Sequence, residues 1–221
     1  MSALLSTARQ SSISALGVRA GRGVVTRLGR PPAHSCTEKL AAASVIQAAS
    51  EAEPRFILLG VDHCDECGFT YAAVSAEELP RRLEAAGRRI AAALAATADP
   101  RRRPAPSVWS PLEYTCHVRD VLRVQNERLT LALRNDNPQF APMGREERVT
   151  LDAYNAQNPR AVLTELAQAT NDLAHAFGAL GPEQRSRTGI YNWPVVESRT
   201  VLWLGRHTVH EMEHHLMDLT R

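Results

Sequence analysis

The residue pattern best suited to chemistry stands near the end of the printed sequence, in HTVHEMEHHLMDLTR. It contains His210, Glu211 and His214 in the arrangement H-E-x-x-H. On an α-helix, residues i and i+4 lie about 40° apart, so both imidazoles point to one side and could bind one divalent metal ion. In zinc peptidases with this motif the glutamate is the general base. The motif therefore leaves three alternatives: a zinc peptidase, another kind of metal site, or a histidine-rich helix without chemistry.

The peptidase alternative is the weakest of the three. Such enzymes need a third protein ligand, usually after the motif, and only seven residues follow His214. The sequence also predicts no strand beside this helix that could hold a peptide substrate. We therefore expect a third ligand to come from an earlier part of the chain.

His117 is the candidate for that third ligand. It shares a helical face with Val121 and Val124, so it is expected to point into the protein. The other upstream histidines fall outside the predicted core helices or on a solvent-facing position (His34, His63 and His175). A lone inward histidine is most simply a hydrogen-bonded core residue. Three inward imidazoles would be costly to desolvate for packing alone, which favours a metal site.

Four predicted helices must position these residues. Capping-box patterns stand at Ser75-x-x-Glu78 before the first helix and at Ser110-Pro111-Leu112-Glu113 before the second, which should run to about Arg134. The third helix opens at Asn158-Pro159 and the fourth at about Thr200. The sequence thus predicts an all-α four-helix bundle over residues 61–221, with a long connection, 135–157, between helices two and three.

Residues 1–60 differ from the remainder in composition. They carry seven basic and three acidic residues without hydrophobic periodicity, and we predict a largely disordered extension. The rest of the chain holds 19 basic and 21 acidic residues, so it has no basic surface typical of nucleic-acid binding. Only one of the 26 basic residues is lysine, which indicates GC-rich codon usage and a bacterial source.

No apolar run approaches the roughly 20 residues that a membrane span needs. The four cysteines come without a secretory signal, which argues against a disulfide framework. We expect a cytoplasmic protein that binds neither membrane nor nucleic acid, and a homodimer is one assembly that the sequence leaves open.

The segments WSPLEYTCHVRDVL and HEMEHHLMDL, together with the lead-in CDECGFTY, resemble the DinB-like superfamily. The resemblance covers roughly residues 62–221. It implies a four-helix bundle with the helices in spatial order 1-2-4-3. It also implies a divalent metal held by His117, His210 and His214, with coordination positions open to water or substrate. Imidazole ligands suit several metals, of which we expect zinc or nickel.

The same resemblance relates the chain to mycothiol- and bacillithiol-dependent transferases and to the N-terminal domain of maleylpyruvate isomerase. The isomerase branch carries glutamate in place of the ligand corresponding to His210, so its reaction is not transferred here. The function implied is transfer of a low-molecular-weight thiol to a small electrophile. A metal-dependent hydrolase with Glu211 as base, and a non-enzymatic metal-binding stress or detoxification module, are the alternatives.

Other residues near the motif have competing interpretations. His207 and Glu211 could be outer partners of the ligands, and Asp120 and Asp218 could orient ligand imidazoles. A core position for His207 and surface positions for the two aspartates are the simpler alternatives. His215 is expected at the margin, because it points away from the His210 and His214 pair.

The pair Cys64-x-x-Cys67 lacks a recognisable context. A structural zinc site needs four ligands, and His63 and Cys36 are a poor completing set. A redox pair normally lies at a helix start near a βαβ unit, which the sequence does not predict. We therefore expect no chemistry from this pair, and packing only from Cys116.

Overall fold

A computed structural model describes residues 63–192 and 195–220, so the predicted extension over 1–60 lies outside the described residues. The described chain is mostly helical, which confirms the predicted class. Its helices are α1 Leu79–Ala96, α2 Pro111–Arg134, α3 Arg145–Leu151, α4 Pro159–Gly178, α5 Pro182–Ser186 and α6 Val201–Leu219. The four long ones, α1, α2, α4 and α6, form the bundle.

The predicted starts of three long helices are confirmed. Ser110 accepts the backbone N–H of Glu113, whose carboxylate accepts the N–H of Ser110, so the capping box before α2 is complete. Asn158 caps α4, and Thr200 caps α6. These local bonds fix where α2 and α6 begin, and hence the height of each histidine in the bundle.

The fourth start differs slightly from the prediction. Ser75 and Glu78 exchange the bonds of a capping box, but they do so in a turn that precedes α1. The helix itself begins at Leu79, with Pro80 in its first turn. That position suits proline, because the first N–H groups of a helix need no intrahelical partner.

The helix order departs from the predicted 1-2-4-3. The first long helix, α1, packs against α4 and α6, and α2 packs against the same two helices, so α1 and α2 lie mainly on a diagonal. The connection 97–110 is long enough to span that diagonal. Close approach of α1 to α4 depends on Gly87, where an added Cβ would lie 2.8 Å from Oγ1 of Thr170.

The core between these helices consists of large aliphatic side chains. They are at most 2% exposed and come from all four helices: Leu83, Ile90, Leu122, Leu129, Leu166, Leu173, Leu204 and Met212. Burial of this kind stabilises a domain by roughly 1.5–3 kcal/mol for each large side chain. The bundle is therefore a rigid frame for side chains on α2 and α6.

The connections carry further structure that the sequence did not signal. Two short antiparallel strands, β1 Thr188–Tyr191 and β2 Glu197–Thr200, pair just before α6. The long connection after α2 contains α3 and touches this hairpin through Gln139 and Ile190. Among the residues described, none of the helices combines the length and apolar character that crossing a lipid bilayer requires.

Candidate metal centre

The rotation of α6 decides which histidines meet. Its core face is marked by Val201, Leu204, Thr208, Met212 and Leu216, all buried. At about 100° per residue, Glu211 and His215 fall on the flank of this face next to α2. His210 and His214 fall further round the helix, next to the segment that precedes α1.

The three predicted ligands are therefore divided between two clusters. His117 of α2 meets Glu211 and His215, and the three potential ligand atoms all lie within 4.8 Å of one another. His210 and His214 meet Cys64 and Cys67, and the potential ligand atoms of these four residues also lie within 4.8 Å of one another. His117 belongs to no described cluster that contains His210 and His214.

The His117 side chain is the most deeply buried part of the first cluster. It is 2% exposed, and its ring packs edge-on against Trp109 and His215 at 5.3 and 4.9 Å between ring centroids. Both ring nitrogens are buried and lack a hydrogen-bond partner among the described residues. Burial, helped by the neighbouring His215, lowers the pKa of His117 to about 3. The imidazole is therefore neutral at neutral pH, as a metal ligand must be.

His215 is buried rather than marginal, which corrects the sequence expectation. It is 4% exposed and lies between Tyr114 and His117. Its Nδ1 is 2.9 Å from the carboxylate of Asp218, and its Nε2 is 3.7 Å from Oε2 of Glu211. A carboxylate on Nδ1 fixes the tautomer that leaves Nε2 free to bind a metal.

Glu211 stands between the imidazoles. Its carboxylate lies 3.7 Å from Nε2 of His207 and 3.7 Å from Nε2 of His215. Burial opposes ionisation of Glu211, but the surrounding histidines, His207 and His215 first, outweigh it and lower the pKa. The cluster therefore offers one carboxylate and two imidazoles.

His207 lies beside this cluster and is held on three sides. Its Nδ1 is 2.8 Å from the hydroxyl of Tyr71, and its ring stacks on Trp203 at 4.7 Å and meets the edge of Tyr191 at 5.2 Å. Burial lowers its pKa, so the ring is neutral. His207 is thus held in a fixed position next to the Glu211 carboxylate.

The second cluster joins α6 to the chain before α1. Sγ of Cys64 lies 3.8 Å from Nδ1 of His214. His210 contacts the hydroxyl of Tyr71 through Nδ1, while its Nε2 is buried without a described partner. Burial, with His207 and His214 nearby, lowers the pKa of His210 to about 4 despite the opposing effect of Glu211.

The two aspartates considered as imidazole partners behave differently. Asp218 contacts an imidazole, but that of His215. Asp120 is 4% exposed and is bonded to Arg119 and to the hydroxyl of Tyr154 at 2.6 Å. Among the described hydrogen bonds, Asp120 contacts no histidine, so its role is to tie α2 to the connection that follows it.

A cavity of about 490 Å³ opens beside the first cluster, between α2, α6 and the start of α3. His117, His207 and Glu211 form one wall. The remaining lining is mixed apolar and polar and includes Val121, Val124, Gln125, Arg128, Met143, Arg145 and Tyr191. A small molecule in this cavity would contact the first cluster directly.

Sequence reasoning missed Glu211 and His215 as partners of His117, although a signal was present. The run His210-Glu211-Met212-Glu213-His214-His215 contains two i, i+4 pairs in adjacent registers. The apolar residues on the core face of α6 favour the second register, because they rotate His215 toward α2.

Comparisons with known proteins agree with this architecture. The sequence profile of the DinB superfamily matches residues 70–219. No curated protein sequence matches. A solved structure of YfiT from Bacillus subtilis, described as a probable metal-dependent hydrolase with an unusual four-helix bundle topology, is similar at a TM-score of 0.59 and 17% identity, covering 67% of this chain and 89% of that chain. Because the profile spans more than half of the sequence, the chain belongs to the DinB superfamily.

Proposed function

We propose that this protein is a divalent-metal-dependent transferase that joins a low-molecular-weight thiol to a small electrophile. The centre would be His117, Glu211 and His215, of which His117 and Glu211 line the cavity. The observation that carries the proposal is the buried, neutral imidazole of His117, whose two nitrogens lack described partners and which faces an anionic carboxylate.

The residues present fit a divalent metal. An unpartnered buried nitrogen is costly unless something binds it, and a cation between His117, Glu211 and His215 would bind one of the two unpartnered nitrogens of His117. Two imidazoles and one carboxylate are a ligand set found at open catalytic metal sites. Zinc and nickel both suit these donors. Asp218 would hold His215 in place from behind.

When bound here, the metal would stabilise the thiolate of an entering thiol at neutral pH and so supply the nucleophile. The carboxylate of Glu211 would leave one positive charge uncompensated on a dication, and a thiolate balances it. His117, neutral and fixed by packing, and His215, held by the carboxylate of Asp218, would hold the ligand geometry. The apolar side chains of Val121 and Val124, which line the cavity, would limit competition from solvent.

The position of Glu211 favours transfer over hydrolysis. As a metal ligand, it is not free to act as a general base toward water. Thiol transfer needs no such base: the thiol would lose its proton to solvent on binding, the thiolate sulfur would form the new bond to carbon, and the leaving group, chloride in a chlorinated aromatic, would depart with its electron pair. Glu211 and His215 also have the Glu-x-x-x-His spacing that the resemblance attributes to the maleylpyruvate isomerase branch, which supports a thiol as cosubstrate.

The cavity lining carries charges of both signs: the arginines Arg128 and Arg145, and the glutamates Glu146, Glu147 and Glu211. Arg128 is 7% exposed, and its buried Nε lacks a described partner although its other nitrogens bind Tyr191 and a backbone carbonyl. A guanidinium of this kind suits a carboxylate on the thiol or on the electrophile.

Hydrolysis is the second candidate. The similarity to YfiT, described as a probable metal-dependent hydrolase, favours it. In that case His207, beside Glu211, is the group placed to accept a proton.

The two functions separate in one set of assays. Protein loaded with zinc or nickel is incubated with a low-molecular-weight thiol and a chlorinated aromatic electrophile, and separately with esters and amides. We expect thiol-dependent turnover that is lost in His117→Ala and kept in His175→Ala, whose side chain is exposed. Ester or amide hydrolysis without thiol would favour the hydrolase. Turnover equal in wild type and His117→Ala would contradict both.

A further inference from the structure

We propose that Cys64, Cys67, His210 and His214 form a second metal site, a structural zinc site of the Cys₂His₂ type. It is separate from the cluster around His117 and does not depend on the proposed function. It would hold the segment that precedes α1 against the outer flank of α6.

The distances suit a zinc ion. The four ligand atoms lie within 4.8 Å of one another, and Sγ of Cys64 is 3.8 Å from Nδ1 of His214. In a tetrahedron with zinc–sulfur bonds of about 2.3 Å, neighbouring sulfurs stand about 3.8 Å apart, so only small side-chain adjustments are needed. The spacings Cys-x-x-Cys and His-x-x-x-His are also those of structural zinc sites.

The backbone around the cysteines is already shaped to present both sulfurs. Cys64 accepts the N–H of Gly68 at 2.8 Å and donates its own N–H to Phe69 at 2.8 Å. Gly68 has φ of 73°, a left-handed conformation that glycine adopts without strain. A bridge between His63 and Thr70 closes the turn. The turn is thus fixed without help from the metal.

The imidazoles carry the outer partners that zinc-binding histidines use. His210 has its Nδ1 3.1 Å from the hydroxyl of Tyr71, and its buried Nε2 has no described partner. His214 turns Nδ1 toward Cys64 and has Nε2 3.6 Å from the carboxylate of Glu66. A second hydrogen-bonding group behind each ligand nitrogen is the usual arrangement at zinc.

The charge balance also fits. Two thiolates neutralise a dication, so the site could remain half-buried at little electrostatic cost, and binding would release the two thiol protons to solvent. A Cys-x-x-Cys redox pair would leave the two imidazoles unexplained. His210 also lies near His207 and Glu211. Its Nδ1 is 3.1 Å from the Tyr71 hydroxyl and 4.0 Å from the Glu211 carboxylate, so Nε2 is the nitrogen left for the zinc.

Cobalt substitution tests the site directly. Full-length protein loaded with Co²⁺ should show intense thiolate-to-cobalt charge-transfer absorption in the near ultraviolet and the visible bands of tetrahedral cobalt. Cys64→Ser and Cys67→Ser should each lose the charge-transfer band. Cys116→Ser is the matched control and should keep it, because Cys116 lies in the core beside the Tyr154 carbonyl.

A second measurement leaves all four proposed ligands in place. X-ray absorption is measured on zinc-loaded wild type and on zinc-loaded His117→Ala. The zinc that His117→Ala retains should show two sulfurs at about 2.3 Å and two nitrogens at about 2.0 Å. A shell of nitrogen and oxygen alone, or a cobalt spectrum unchanged in Cys64→Ser and Cys67→Ser, would overturn the proposal. Loss of thiol transfer in His117→Ala, with the sulfur shell intact, is the result expected if the two sites are separate. Retention of thiol transfer with the sulfur shell intact would contradict the proposed function and leave the zinc site standing.

Discussion

The hydroxyl of Tyr71 lies 2.8 Å from Nδ1 of His207, at the point where the two clusters of α6 meet. The same hydroxyl is 3.1 Å from Nδ1 of His210. Burial, with Glu211 nearby, raises the pKa of Tyr71, so the hydroxyl stays protonated. If it donates to His207 and accepts from His210, then Nε2 of His210 keeps its lone pair for a metal. In that arrangement one tyrosine sets the tautomers of both histidines.

Replacing Tyr71 with phenylalanine should weaken zinc binding at the cysteine-containing site. The ring packing is kept, but His210 loses its outer partner, which typically costs about 10–100-fold in metal affinity. Competition with a chromophoric chelator would measure this. Wild-type affinity in Tyr71→Phe would show that the hydroxyl does not set the His210 tautomer.

Asp218→Asn should act on the other centre. The amide can no longer hold Nδ1–H of His215 with a charged acceptor, so affinity at the His117 centre should fall by about 10–100-fold. The cysteine-dependent cobalt spectrum should be unchanged in this variant. An equal loss at both centres would point to a general folding defect instead, which circular dichroism would detect.

The metal-free protein should lose stability in mild acid. Burial holds the pKa of His117 at about 3 and that of His210 at about 4, against 6.5 for an ordinary histidine. Below pH 6.5 the unfolded chain gains protons that the folded chain does not bind. As the pH is lowered from 6.5 to 4, the free energy of unfolding should therefore decrease, by about 1.4 kcal/mol per pH unit for each such histidine.

Urea unfolding at several pH values, in the presence of a chelator, would measure this slope. His117→Gln removes one of the buried imidazoles whose pKa is lowered and should make the slope shallower. His175→Ala, at an exposed position, should leave it unchanged. A free energy of unfolding that is constant from pH 6.5 to 4.5 would contradict the buried, neutral state of these imidazoles.

Gly87→Ala should destabilise the bundle, although alanine usually favours a helix. The new Cβ would lie 2.8 Å from Oγ1 of Thr170, and crowding of this kind costs about 1–3 kcal/mol. Gly178→Ala, where the nearest atom is 3.4 Å away, is the matched control and should be neutral or slightly stabilising. The double variant Gly87→Ala/Thr170→Ala should recover stability. Equal melting temperatures for both single variants would contradict the α1–α4 contact.

Most of the fold could be predicted from local signals. The caps at Ser110, Asn158 and Thr200 act through hydrogen bonds to residues close in sequence, so the sequence alone locates three helix starts. The helix order could not be predicted in the same way. It depends on which helix faces fit together, such as Gly87 against Thr170. It also depends on a connection long enough for α1 and α2 to lie diagonally across the bundle.

The sequence predicts His117, His210 and His214 as ligands of one metal, whereas the structure places His117 beside Glu211 and His215, and His210 and His214 beside Cys64 and Cys67. The choice between His210 with His214 and Glu211 with His215 is a rotation of about 100° about the helix axis. Cap position does not fix that rotation, whereas burial of Met212 and Leu216 does. The partnership of Cys64 and Cys67 with α6 spans about 150 residues of sequence, and no local pattern reports a contact of that range.

In the two proposals together, α6 carries two separate metal centres on adjoining flanks. Elemental analysis of metal per chain, after loading with zinc and removal of excess, distinguishes two centres from one. We expect two equivalents in wild type and His175→Ala, and one each in His117→Ala and in Cys64→Ser/Cys67→Ser. A single equivalent in wild type, lost alike in His117→Ala, His210→Ala and His214→Ala, would contradict it and restore one shared site.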